Sequence, residues 1–132
     1  MNKNLPYLLE MEKKYKNIIV YQNVSNISEI MLKCDIAVSA CGSTMYELCA
    51  CGLPIVTYSF ADNQIPGIRK FAEKGVAFNC GDLRDDFEKV VDNIIDKIDE
   101  MCIDRVYRKK YVNMSGNIVC NNGVKKIVDE II

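Results

Sequence analysis

The chain reads as an α/β protein: an open parallel sheet with helices on both faces, stacked in three layers as α/β/α. Three observations predict it. Short runs rich in β-branched residues alternate with stretches of helical spacing along most of the 132 residues. The intervals between successive runs suit right-handed β-α-β crossovers. The composition, 49% hydrophobic and 27% charged, is that of a globular domain with a sizeable core, so residues 1–132 are expected to form one domain.

The first helix is expected over residues 5–16, where Leu5, Leu8, Leu9, Met11 and Tyr15 recur on one side and charges occupy the other. "NIIVYQN" (17–23) follows as a short buried strand. "SNISEIMLKC" is a second helix, with Ser25 or Asn26 as cap and Ile27, Ile30 and Met31 on its apolar side. "DIAVSA" is the next strand, and residues 44–51 form a helix closed by Gly52 and Pro54. "PIVTYSF" is a third strand. Residues 63–74 form a helix that tolerates Pro66 only in its first turn and stops at Gly75. "GVAFNC" is a fourth strand. Residues 82–99 form a long helix, because Phe87, Val90, Val91, Ile94, Ile95 and Ile98 recur at helical spacing. The segment 100–132 is expected to be helical, with a break around 115–122, and to belong to the same domain.

Charge and composition remove several function classes. A net charge of −1 and a pI near 5.5 leave no basic field for nucleic acid or an anionic membrane surface. The longest apolar run, 36–41, is far too short to span a bilayer, so neither a membrane segment nor a signal peptide is expected. Seven cysteines without a C-x-x-C pair argue against a disulfide framework and against zinc. They read as reduced thiols in and around the core, which points to the cytoplasm. There is no histidine, which removes Ser-His and Cys-His nucleophiles and most transition-metal sites. Neither a metal nor a cofactor is expected, and any chemistry must rest on carboxylates, amides, hydroxyls and backbone dipoles.

In an open parallel sheet, ligands bind beyond the carboxyl ends of the strands. Three loops are expected there, 22–26, 39–44 and 58–64, all rich in small and polar residues. The middle one opens "SACGSTMYELCACGLP". A nucleophile at Ser43 or Cys41 is disfavoured, since the turn lacks the second glycine of a G-x-S-x-G elbow and nothing can activate it. An anion site is compatible with the turn: Gly42, Ser43 and Thr44 precede a helix and offer free N–H groups, hydroxyls and the positive end of the helix dipole. A capping box between Thr44 and Glu47 explains the same residues and does not exclude the first reading. Glu47 is thus either a cap partner or a carboxylate for the two hydroxyls of a ribose. Asp62, Asn63 and Gln64 suit sugar hydroxyls, and Asp62 or Asn63 equally suits a helix cap. No residue of the chain is assigned a catalytic role.

The stretch "CDIAVSACGSTMYELCACGLPIVTYSFADNQ" resembles the C-terminal nucleotide-sugar domain of GT-B glycosyltransferases of the peptidoglycan UDP-GlcNAc transferase type, a Rossmann-like half of the GT-B fold. It is still more similar to the UDP-sugar hydrolase of pseudaminic acid biosynthesis and to relatives linked to spore coat polysaccharide synthesis. The likeness covers about residues 17–81. The shared pattern is Asp, apolar strand, small-residue turn, Thr-x-x-Glu, Gly-x-Pro, apolar strand and a loop ending Asn-Gln. The resemblance implies that Glu47 holds the ribose hydroxyls and that the backbone around Val24 meets the uracil ring. It implies that Gly42, Ser43 and Thr44 lie under the diphosphate, and that Asn63 and Gln64 reach the diphosphate or the sugar. The implied ligand is a UDP-sugar of the UDP-N-acetylhexosamine type.

This chain departs from the family pattern at three points. Family members carry an N-terminal domain that supplies the catalytic base and acceptor site. Their C-terminal domain opens with further strands and a Gly-rich loop, and Cys41 stands where the turn often has glycine. A parallel sheet ordinarily opens on a strand, whereas this chain opens on a helix. The expectation is a fragment with the domain's natural start before Met1, or a partner chain that supplies the missing part. The rival readings are a non-catalytic interaction module and the donor-binding subunit of a two-chain glycosyltransferase.

Overall fold

The structure is a computed structural model that describes residues 3–115, 118, 119 and 129. In chain order it contains α1 (Leu5–Lys14), α2 (Ile27–Met31), β1 (Ala37–Ala40), α3 (Thr44–Ala50) and β2 (Ile55–Ser59). A 3-10 turn, Asp62–Gln64, then leads into α4 (Ile65–Glu73), β3 (Ala77–Asp82), α5 (Phe87–Ile103) and α6 (Arg105–Ser115). The strands form an open parallel sheet in the order β1-β2-β3, with each crossover made by a helix. The expected α/β class and the helices on both faces are therefore present.

Alternation along the central strand divides the core into two layers. Ile55 of β2 packs with Met45, Leu48 and Cys49 of α3 and with Ile68 and Phe71 of α4. Val56 and Tyr58 point the other way, onto Val90, Ile94, Ile98 and Met101 of α5 and Tyr107 and Tyr111 of α6. Residues 55–57 of β2 are fully buried, which is why that run is apolar rather than alternating. Both α3 and α4 end on the same device. Gly52 at φ 70° and Gly75 at φ 68° take the left-handed position, and the next N–H reaches back, Leu53 to Leu48 O and Val76 to Phe71 O, each at 3.1 Å.

The long helix differs from expectation at both ends, and one expected strand does not form. The long helix begins at Phe87, not at residue 82, because Asp82 still belongs to β3 and Asp86 is the cap, accepting the N–H of Lys89 at 3.0 Å. Its C-terminus runs on to Ile103, where Arg108 Nη1 donates to the end carbonyls of Met101 and Cys102. The predicted strand at 17–23 is not a strand. The Ile18 N–H is taken by Tyr15 O and the Val20 N–H by Glu12 Oε1 at 2.7 Å, which leaves Ile19 66% and Tyr21 59% exposed. β-branched composition marks a segment able to join a sheet but carries no information about its partner. The predicted break at 115–122 lies largely outside the described residues, as does most of the chain beyond it.

Candidate functional site

Parallel strands bring the loops that follow them to one edge, and hydrogen bonds join those loops. Cys41 N–H donates to Tyr58 O at 3.1 Å, which sets the 39–44 turn beside the start of the 58–64 loop. Leu83 N–H donates to Ser59 O at 2.9 Å, which adds the segment after β3. The edge is thus built by residues 39–44, 58–64 and 81–86. Sequence reasoning included the first two and missed the third.

At the first loop the chain turns directly into α3. Gly42 N–H folds back to Ala40 O, and Met45 and Tyr46 donate to Gly42 O and Ser43 O. The N–H groups of Ser43 and Thr44 donate to no acceptor among the described residues. The space over Gly42 is open: a Cβ built there meets no atom within 4 Å. Gly42, Ser43 and Thr44 are all exposed. The capping box is absent. Ser43 occupies the cap position in a helical conformation (φ −59°, ψ −31°) and no side chain caps α3. An Oγ placed by helical dihedrals does not reach the N–H groups of the first turn, so the box cannot close. Glu47 is therefore exposed on the first turn of α3 with its carboxylate uncommitted among the described residues.

The second loop is partly self-satisfied. Gln64 Oε1 accepts the Phe60 N–H at 2.9 Å and Gln64 N–H donates to Ala61 O at 3.0 Å, so the glutamine side chain closes its own turn. Asn63 is exposed, and its side chain forms no hydrogen bond among the described residues. Asp62 does not cap a helix: its Oδ1 lies 2.9 Å from Arg84 Nη1. Arg84 also grips Asp82 in bidentate fashion, Nε to Oδ1 at 2.9 Å and Nη2 to Oδ2 at 2.7 Å. The Asp82 carboxylate further accepts the Arg84 N–H and the Ser59 hydroxyl, each at 2.9 Å. The Arg84 bonds hold the Asp82 carboxyl far below the usual carboxylate range, and Ser59 adds to them.

The first expected loop is not brought to this edge. Since 17–23 is no strand, nothing in the sheet carries residues 22–26 there, and no hydrogen bond among the described residues joins them to the other loops. Val24 is half-exposed, and Asn23 beside it takes a left-handed φ of 49°. Asn26 pairs locally with Ser28 and Glu29 at the start of α2. Cys41 is buried at the base of the turn, and burial pushes its thiol up, which leaves it unsuited to attack. Among the described residues, no group of acidic, cysteine or histidine side chains could hold a metal ion. No described helix is long and apolar enough to cross a membrane.

Of the expected site residues, Gly42, Ser43, Thr44, Glu47, Asn63 and Gln64 lie on adjacent loops or the first turn of α3, and Val24 stands apart. Ser59, Asp82 and Arg84 join them unannounced. The only signal in the sequence was the polar run "CGDLRDD" after the last strand, which also fits an ordinary helix start. In comparison with known proteins, no family model, no curated protein and no solved structure matches this chain.

Proposed function

We propose that the chain is the donor-binding half of a UDP-sugar enzyme, a glycosyltransferase or a UDP-sugar hydrolase in cell-surface polysaccharide or nonulosonate synthesis. The observation that carries the reading is Glu47: exposed at the loop edge, free of the cap that was one of its two expected uses, and one turn beyond two N–H groups unpaired among the described residues. An open turn of this kind favours an oxyanion, and an uncommitted carboxylate accepts two neighbouring hydroxyls. The ligand is a nucleoside diphosphate sugar, with Gly42, Ser43 and Thr44 under the diphosphate and Glu47 on the ribose. Asn63 contributes its amide to the diphosphate or the sugar, and Gln64 its Nε2, because its Oε1 is already engaged. Val24 keeps its expected part at the uracil ring only if residues 17–26 rearrange.

The chemistry follows from these contacts. Negative charge accumulates on the diphosphate as UDP departs, and donors already aimed at it stabilise that charge. In a hydrolase water attacks the sugar or the phosphate; in a transferase an acceptor hydroxyl does. The reading assigns the base to another domain or chain, because no histidine is present and Glu47 is given to the ribose. It sets the protein in the cytoplasm, with its thiols reduced.

Titration of the full chain with UDP-GlcNAc, followed by amide chemical shifts, tests the proposal. Shifts at Ser43, Thr44 and Glu47 are expected at millimolar ligand; their absence rejects it. Glu47→Gln should weaken binding about tenfold or more, the value of one or two hydrogen bonds to a charged group. It should leave stability unchanged, since the Glu47 side chain makes no hydrogen bond among the described residues. Undiminished UDP affinity in that variant rejects the ribose role.

One observation favours a non-catalytic interaction module as the second reading. β1 forms an edge of the sheet with Val38 46% exposed and no strand beyond it among the described residues. Complete indifference to UDP-sugars would leave this reading in place.

A further inference from the structure

The geometry points to Arg84 as a positioning residue of the same edge: its guanidinium ties the 60–64 loop to the end of β3 and so biases where Asn63 and Gln64 stand. The inference rests on the donor reading above and names a residue that reading did not contain.

A β-bulge puts Arg84 in place. Between the pairs Thr57↔Asn79 and Ser59↔Asp82, β3 spends one residue more than β2. Phe78 and Cys80 face α5, and strict alternation would send Asp82 to that side as well. The extra residue turns Asp82 onto the opposite face, beside Ser59, whose hydroxyl donates to Oδ2 at 2.9 Å. Gly81 makes the bulge possible by taking φ 116°, a conformation that side chains rarely allow. Arg84 then closes on Asp82 through Nε and Nη2, which leaves Nη1 directed outward, 2.9 Å from Asp62 Oδ1.

The two arms differ. Asp82 has a side chain only 8% exposed and is held by several bonds, so it is the anchor. Asp62 is 90% exposed and held by one ion pair, so it is the tether. Because Asp62 opens the turn that contains Asn63 and Gln64, the tether acts on the two amides assigned to the donor. A lone exposed ion pair contributes little energy, so the clamp biases the loop rather than freezing it.

The test combines amide hydrogen exchange with UDP-GlcNAc titration on the full chain, for wild type, Asp62→Asn, Arg84→Gln and Arg84→Lys. Asp62→Asn and Arg84→Gln should each speed exchange at the Phe60 and Gln64 amides about two- to fivefold and weaken UDP-GlcNAc by a similar factor. Arg84→Lys should restore part of both, since an ammonium still stands between two carboxylates. Asp62→Asn should leave the thermal midpoint in place, because the anchor on Asp82 is untouched. Unchanged exchange in Asp62→Asn overturns the clamp. Faster exchange with unchanged UDP-GlcNAc affinity overturns the positioning role and reduces Arg84 to a structural staple. Absence of UDP-GlcNAc binding by the wild type brings down the donor reading and the positioning role with it, while the exchange rates still report whether the loop is clamped.

Discussion

Two carboxylates, Glu47 and Asp62, had the same two possible uses in the sequence, capping or ligand binding. The structure separates them: Asp62 is claimed by Arg84 and Glu47 by nothing described. Thr57 makes a related point. It is fully buried in β2, and its hydroxyl has no partner among the described residues. Thr57→Val keeps the shape and removes the unpaired group, so stability should rise by roughly 1 kcal/mol, read from the urea midpoint. The cysteines divide by burial. Cys41, Cys49 and Cys80 lie in the core, whereas Cys34 and Cys102 are exposed. Burial pushes Cys49 and Cys80 up to about 11, with Ser115 and Lys97 respectively opposing it in part. At pH 8 about one in a thousand of these thiols is ionised, so iodoacetamide should label Cys34 and Cys102 first, as mass mapping would show. Because the folded values are raised, the stability these thiols contribute is complete below about pH 9 and is lost as the pH climbs towards about 11. The urea midpoint should therefore fall between pH 8.5 and about pH 11.

At the scale of elements, helical periodicity was the most readable signal and pairing the least. The helices centred on residues 44–51, 63–74 and 82–99 all exist, because apolar spacing and a closing glycine are local properties. Their starts moved where a side chain had a tertiary task. The long helix waits until Asp86 because Asp82 is committed to Ser59 and Arg84. The bulge in β3 that commits it is set by one glycine. Gly81→Ala would force a side chain into φ 116° and bring its Cβ to 3.0 Å from Val90 Cγ2. A loss of about 2 kcal/mol is expected in the urea midpoint, together with faster amide exchange at 60–64 as Asp82 loses its place. A strand expected at 17–23 failed for the converse reason: its composition was right, but Glu12 and Tyr15 took the N–H groups that a ladder needs.

At the scale of the whole molecule, the sheet has two unlike borders. β3 lies between α4 on one face and α5 on the other, while β1 ends the sheet among the described residues, with a groove of about 230 Å³ beside it. Ile30, Met31, Val38, Thr44 and Leu48 line that groove, so it reaches the 42–44 turn at Thr44. An edge strand with an apolar side invites another chain. Sedimentation velocity should show concentration-dependent association that Val38→Lys reduces, since an edge lysine opposes strand pairing. A monomer at every concentration would contradict this. The sequence by itself determined the α/β class, the order of helices and strands from residue 27 onward, the turn at 42–44 and the absence of histidine chemistry. All of these depend on residue identity and on spacing within one element. Only the tertiary structure decided that Asp82 faces Ser59, that Arg84 bridges two loops, that Glu47 stays uncommitted and that 17–23 stays out of the sheet. Each of those outcomes is a competition for hydrogen bonds between groups distant in the chain, and periodicity along one segment carries no record of who wins it.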